Sequence, residues 1–434
     1  MSNGEGSKND HAWEKLFQEY NILSHIETHG YFTISASQIK RYREPRLMAK
    51  FDHKINLPQI FAQNALAILP ISRGSYIISH IEAYQSFQTL DRSVTRVVLP
   101  DNIQSLDSSH IPSETIAVNC ALASGILADF LEDDALLPTV SGRMGSGYFR
   151  FGIHNIRNNA TYPITVNNAQ IEIDAAFEGI RSLSLIEAKL DLAEDFLIRQ
   201  LYYPYCVWSR RVSKLVRPIF FVYSNGIFSL YEYQFQNPVH YNSLILVRHK
   251  NYSIEDTTIQ LAEIRKIAAN TQIIPEPHIP FPQANSFDRI INLCEILNTK
   301  DLTCEEITEK YAFDMRQADY YTNAARYLGL IEKQHDSNIA PLFFLTVKGK
   351  QIINSNYKQR QLAFCTLILQ HEIFGKTFNR CMDFGMMPNT QEVVDIMRGS
   401  HLYNLESEST YKRRASTVTS WVNWMIKLTQ QQNN

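Results

Sequence analysis

One short run constrains the fold more than any other: Leu183-Ser184-Leu185-Ile186-Glu187-Ala188-Lys189-Leu190. Side chains on a strand alternate between its two faces. Leu183, Leu185, Glu187 and Lys189 therefore share one face, and Ser184, Ile186, Ala188 and Leu190 the other. Both faces begin apolar, so the run reads as an interior strand of a covered sheet. Charges are expensive in such a place unless they are paired or bind a metal.

The segment before it supplies a partner. In Ile171-Glu172-Ile173-Asp174-Ala175-Ala176-Phe177, strict alternation puts Ile171, Ile173, Ala175 and Phe177 on one face and Gln170, Glu172 and Asp174 on the other. The connection Glu178-Gly179-Ile180-Arg181-Ser182 is short enough to make the two strands antiparallel neighbours. Asp174 then meets Glu187 and Lys189 at one end of the sheet. Two carboxylates with open positions suit a hard cation such as magnesium. Such an ion polarises a scissile phosphate and lowers the pKa of a bound water. Lys189 would orient that water and stabilise developing negative charge. A bare D…ExK pattern is common by chance, and an ordinary surface ion pair is its default explanation. The buried character of the strand, Asp174 on the strand before it and a preceding helix favour the site.

At 434 residues the chain is too long for one ordinary core, which implies two or three domains. A net charge of -2 excludes a uniformly basic coat but not local basic faces. The six cysteines form no CxxC pair and no zinc-ligand spacing, so they read as thiols of a reducing compartment. The polar start lacks a signal-peptide core, and no stretch approaches transmembrane length. A cytoplasmic protein without membrane contact is expected.

Residues 1–10 read as a disordered lead-in, and 11–108 as a mixed α/β segment with a strand at 31–35 and a turn at 73–75 entering a strand. Its cluster of Lys40, Arg41, Arg43, Arg46, Lys50 and Lys54 is either a DNA-contacting face or a solvated one. Residues 109–273 follow. Ser113 caps a helix reaching Phe130, and 141–147 is a polar, glycine-rich loop. Strands are expected at 148–153, 170–177 and 183–190, a helix at 194–212, and strands at 219–223 and 227–233 joined by an Asn225-Gly226 hairpin turn. Residues 274–283 hold four prolines and read as a linker to a mostly helical 284–434. The expected class is α+β and multidomain, with a mixed sheet flanked by helices.

From about residue 112 to 233, the order of elements together with Asp174, Glu187 and Lys189 resembles the PD-(D/E)XK nuclease superfamily, whose core is αβββαβ. More narrowly, the segment looks like a type II restriction endonuclease. The resemblance implies Asp174 and Glu187 as metal ligands and Lys189 as the catalytic lysine. The residue before the aspartate is Ile173 and not proline, as in many members. Members often add an acid from the first core helix, and Glu114 is the best-placed residue; stabilising the helix N-terminus is its alternative role. Some branches carry a glutamine–tyrosine pair on the helix after the lysine strand. Gln200 falls there, with Tyr205 one residue beyond the usual spacing. In the glycine-rich loop, Ser141, Arg143 and Ser146 could contact phosphate or base, or the loop is a plain connection.

In the last third, Thr303 caps a short helix and a second spans 315–328, followed by Gly329-Leu330-Ile331 and a strand near 343–347. This order resembles a winged helix-turn-helix domain. The resemblance implies DNA contact from Arg316, Gln317, Tyr320, Tyr321, Asn323 and Arg326 on the second helix. A second such module would place Lys412, Arg413 and Arg414 on phosphates; protein interaction is the alternative role.

The function these resemblances imply is site-specific hydrolysis of double-stranded DNA with Mg2+ and an activated water, leaving 5′-phosphate ends. A cognate DNA methyltransferase is then implied genetically, not as a physical partner. Symmetric target sites would require a homodimer, which the sequence does not show. Two alternatives stand beside it. One is a modification-dependent or repair nuclease on the same core, and the other a non-catalytic winged-helix DNA-binding regulator.

Overall fold

The computed structural model describes the chain except residues 1–5, 89–92, 337–338, 401, 404, 406 and 431–434. It is α+β, with helices packed on a mixed multi-stranded sheet. No described helix is long and apolar enough to cross a membrane. All six cysteines are free, and five are buried.

Helix α1 (Lys8–Glu19) starts earlier than the polar composition suggests. Asp10 N–H donates to Ser7 Oγ at 3.1 Å, and Ser7 N–H donates to Asp10 Oδ2 at 2.8 Å. This capping box shortens the expected lead-in, whose first five residues lie outside those described. There follow α2 (Ile22–His29), β1 (Tyr31–Ser35), α3 (Ala36–Lys40), α4 (Pro45–Met48), α5 (Gln59–Gln63), β2 (Ala67–Pro70) and β3 (Ser75–Ser79). The three strands form an antiparallel sheet in the order β1-β3-β2. Its core includes Trp13, Phe17 and Phe61, with Trp13 and Phe61 edge to face at 4.8 Å.

This first module ends near residue 79, not at 108. β4 (Tyr84–Ser86) and β5 (Val94–Arg96) already belong to the next one: β5 pairs in parallel with β14 (Leu244–Ser253) and forms an edge of the central sheet. That sheet runs β5-β14-β13-β12-β10-β9-β6, with β6 (Leu137–Gly145), β9 (Gln170–Glu178), β10 (Ser182–Lys189), β12 (Leu215–Ser224) and β13 (Ile227–Phe235). β10 is buried nearly throughout, antiparallel to β9 and parallel to β12. The helix expected from Ser113 to Phe130 is two, α6 (Glu114–Ala123) and α7 (Ile126–Leu131), because Gly125 adopts φ +77° between them. They cover Ile186 and Ala188, on one face of β10. On the other face lies α8 (Arg199–Trp208).

Two further expectations change here. Of residues 141–147 only 146 and 147 form a loop, because Ser141 to Gly145 complete the edge strand β6, paired with β9. Glycines and serines lower strand propensity, but the ladder to β9 overrides it. The run from Tyr148 does form a strand, β7 (Tyr148–His154), but it pairs with β8 (Thr161–Asn167) in a separate hairpin. Phe149 and Phe151 of that hairpin pack edge to face on Tyr203 and Tyr202, each at 5.1 Å, so α8 is buried on two sides. Before α8, Asp195 to Leu197 form β11 (Asp195–Leu197) against β4, which delays the helix.

α9 (Leu261–Asn270) leads to the proline-rich stretch, which is irregular as expected but docked. Phe281 stacks with Phe374 at 5.9 Å, and Tyr327 Oη donates to Glu276 Oε2 at 2.5 Å. The last module runs α10 (Phe287–Thr299), β15 (Leu302–Thr303), α11 (Cys304–Lys310), α12 (Met315–Tyr327), β16 (Ile331–Asp336) and β17 (Ile339–Leu345), with sheet order β15-β17-β16. Thr303 caps α11 as expected, in a capping box with Glu306. Helices α13 (Val347–Ile353), α14 (Tyr357–Leu369), α15 (Glu372–Phe384), α16 (Thr390–Arg398) and α17 (Glu408–Leu428) complete one shared core. No strand follows Leu345 among the described residues, so the final stretch does not repeat the helix–helix–hairpin order.

Candidate active site

The site forms where β9 and β10 part. Their register runs from Leu183 opposite Glu178 to Ile186 opposite Ala175. At that point β9 carries an extra residue relative to β6, since Val140 faces Ala176 while Gly142 faces Ile173. The bulge reverses the alternation. Ile171 and Ile173 pack toward α8, while Ala175 and Phe177 pack with α6 and α7. The expected single face for these four residues therefore breaks at Asp174, which the bulge re-aims. Asp174 Oδ2 accepts the Ala188 N–H at 2.8 Å.

Glu187 and Lys189 share the α8 face of β10 as expected. Lys189 Nζ donates to Glu187 Oε1 at 2.6 Å, and Gln200 Nε2, in the first turn of α8, donates to the same oxygen at 2.6 Å. Burial pushes the Glu187 carboxyl up to about 7, against the pull of Lys189 and with the help of Asp174. Burial also raises Asp174, opposed by Lys189 and assisted by Glu114, and raises Glu114, where Glu187 assists. For Lys189, burial works against the charge, but Glu187, Asp52, Glu114 and Asp174 outweigh it and hold the amine well above the ordinary lysine value. A buried lysine among carboxylates stays charged.

These residues line a cleft of about 1750 Å³ to which all three modules contribute. Residues from the first module reach the centre, which the sequence reading missed. Asp52 acts on both Glu187 and Lys189. His53, almost fully buried, has Nε2 3.3 Å from Asp191 Oδ2, just beyond β10, while its Nδ1 donates to the Asp195 carbonyl at 2.6 Å. With Nδ1 carrying that proton, a neutral ring would set the Nε2 lone pair against a carboxylate. Burial opposes the imidazolium, but Asp191, the Asp195 carbonyl and Asp52 together outweigh it, and the His53 pKa is raised. No periodicity links Asp52 and His53 to strands more than a hundred residues away.

The other predicted residues divide. Glu114, Arg143, Gln200 and Arg316 line the cleft. Arg143 Nε is 3.1 Å from Glu172 Oε1. Ser141 is exposed on β6 outside the cleft. Ser146 is buried and its hydroxyl donates to the Gly147 carbonyl at 2.9 Å, which removes it as a phosphate contact. On α12, Gln317 accepts from Arg289 Nη1 at 3.1 Å, and Asn323 accepts from Arg326 Nη1 at 2.9 Å. Tyr320 is half-buried and Tyr321 buried. Lys412 and Arg413 are exposed on α17, away from the cleft, and Arg414 is half-buried.

Asp174 and Glu187, with Glu114 beyond them, are an all-oxygen donor set of the kind hard divalent cations take. Each is a carboxyl whose ionised form is disfavoured by burial and by another of the three, and a shared cation relieves that penalty. Among the described residues no three acidic, histidine or cysteine side chains close into a cage. Magnesium ordinarily keeps several waters and few carboxylates, so an open set of two is compatible with it.

Three domain families match the chain in succession: a domain of unknown function (DUF6996) over residues 10–78, another (DUF6997) over 79–253 and a third (DUF7226) over 289–430. No curated protein and no solved structure matches it. The first boundary coincides with the end of β3, and the gap between the second and third families holds α9 and the docked linker.

Proposed function

We propose that this chain is a magnesium-dependent endonuclease of the PD-(D/E)XK kind that hydrolyses double-stranded DNA. The observation that carries the reading is the meeting of Asp174, Glu187 and Lys189 where β9 and β10 part, on a strand otherwise buried on both faces. The order α6-α7, β6, β9, β10, α8, β12, with β10 and β12 parallel, supports an αβββαβ core into which the β7–β8 hairpin is inserted. Bound by Asp174 and Glu187, magnesium would polarise the scissile phosphate and make water a competent nucleophile. Gln200 fixes the Glu187 carboxylate from behind. Lys189 brings a permanent positive charge to the same face, where it orients the attacking water and stabilises charge on the phosphate.

The order α10, β15, α11, α12 and the β16–β17 hairpin supports a winged-helix reading of the last module, with α12 presenting Arg316 to the cleft. Cutting at a short specific sequence, as type II restriction enzymes do, is proposed on the resemblance alone. The test is Asp174→Ala with a plasmid substrate and magnesium. Nicking and linearisation should fall below detection while duplex binding in EDTA persists. A variant that cuts at the wild-type rate would remove Asp174 from the site.

A further inference from the structure

The six basic residues between Lys40 and Lys54 fall into two groups once their contacts are known. Lys40, Arg41 and Arg43 serve the protein itself: Lys40 stands 3.9 Å from Glu44, Arg41 pairs with Glu19 and Tyr20, and Arg43 pairs with Glu309 at 2.5 Å. None of these three lines the cleft. Arg46, Lys50 and Lys54 are exposed and all line it. Among the described residues Arg46 and Lys54 make no ion pair, and Lys50 makes only a long one, to Asp52 at 3.9 Å. Arg316 of α12, also exposed, likewise makes no ion pair there and enters the same cleft.

These cations sit on a braced wall. Lys54 N–H donates to Asp195 Oδ1 at 3.0 Å, Leu197 N–H to the Asp52 carbonyl at 2.9 Å, and His53 joins Asp191. On the other side, Asn56 Nδ2 donates to the carbonyls of Thr308 and Tyr311 at 2.9 and 2.8 Å, in and just after α11. Exposed cations without a close ion pair, held beside the carboxylates and the charged lysine, form a surface suited to the phosphates of a polyanion that crosses the catalytic centre.

We propose that Arg46, Lys50 and Lys54 form a phosphate-binding wall by which the first module grips the duplex beside the catalytic centre, with Arg316 gripping it from the last module. The proposal rests on the nuclease reading and adds the grip to it. Phosphate contacts release counterions, so each lost contact lowers the slope of log affinity against log salt by about 0.9.

The experiment follows binding of a fluorescein-labelled 30-base-pair duplex of arbitrary sequence, in EDTA, by anisotropy over a range of potassium chloride concentrations. Arg46→Ala/Lys50→Ala/Lys54→Ala should bind more weakly at low salt, with a slope shallower by about 2 to 3. Lys54→Ala alone should lower it by about 1, which keeps the test open if the triple variant folds poorly. Slopes equal to wild type for both variants overturn the wall while leaving the nuclease reading intact. Cutting that survives Asp174→Ala removes that reading separately.

Discussion

Glu187 Oε1 accepts hydrogen bonds from two donors, Lys189 Nζ and Gln200 Nε2, both at 2.6 Å. A second partner matters here because the carboxylate is buried, and a buried charge deprived of a donor bears most of its desolvation cost. Gln200 is a positioning residue in this arrangement. Gln200→Leu should reduce cutting by about 10- to 100-fold, chiefly as a higher magnesium requirement, while duplex binding in EDTA stays within about twofold. Magnesium titration of plasmid cleavage reads this, and an unchanged requirement would leave Gln200 a core residue. The Glu187 carboxyl supplies a second expectation. Raised to about 7, it favours the fold below the ordinary value of 4.5, and that contribution is lost as pH climbs through 7. In EDTA, the melting temperature of wild type should therefore fall relative to that of Glu187→Gln between pH 4.5 and 7.

At the scale of elements, much of the architecture was legible and the exceptions share a cause. The α/β order, the buried β10, the Asn225-Gly226 turn and the Thr303 cap follow from local chemistry and periodicity, and each is present. Edge strand β6 was hidden because Ser141, Gly142 and Gly145 read as loop; only pairing with β9 makes them strand. The bulge at Asp174 was hidden for the same reason, since it is a mismatch of register between β9 and β6. In the candidate site, Asp174, Glu187 and Lys189 were legible from spacing and Gln200 only from the family resemblance, whereas Asp52 and His53 arrive through tertiary packing alone. The joint they make is testable by pH. His53 is faced by Asp191, Asp195 and Asp52, with Lys54 and Tyr84 nearby. Its raised pKa means that the joint's stability is complete below the ordinary 6.5 and is lost as pH rises through the raised value. The melting temperature of wild type should therefore fall as pH rises above 6.5, and His53→Asn should flatten that fall. A slope that the substitution leaves untouched would place the titration elsewhere.

Across the whole molecule, the modules are joined by buried polar contacts and not by a loose chain. Asn225, in the turn of the central sheet, accepts from Gln361 Nε2 at 2.6 Å and donates its own N–H to Glu295 Oε1 at 2.8 Å. Asn292 Nδ2 donates to the Leu190 carbonyl at 2.7 Å, one residue beyond Lys189. The last module thus holds the exit of β10 from one side while the first holds it from the other.

The proline-rich stretch after α9 has its slack taken up against the last core, through Phe281 and Glu276. If the proposed nuclease reading holds, modules packed this way would make the protein a ruler: α12 and Lys189 would meet the duplex a fixed number of base pairs apart. The cut should fall at one constant offset from the recognised sequence, as end-sequencing of the fragments would show. Four glycines inserted after Thr271 should leave that offset unchanged, because packed faces and not chain length set the distance.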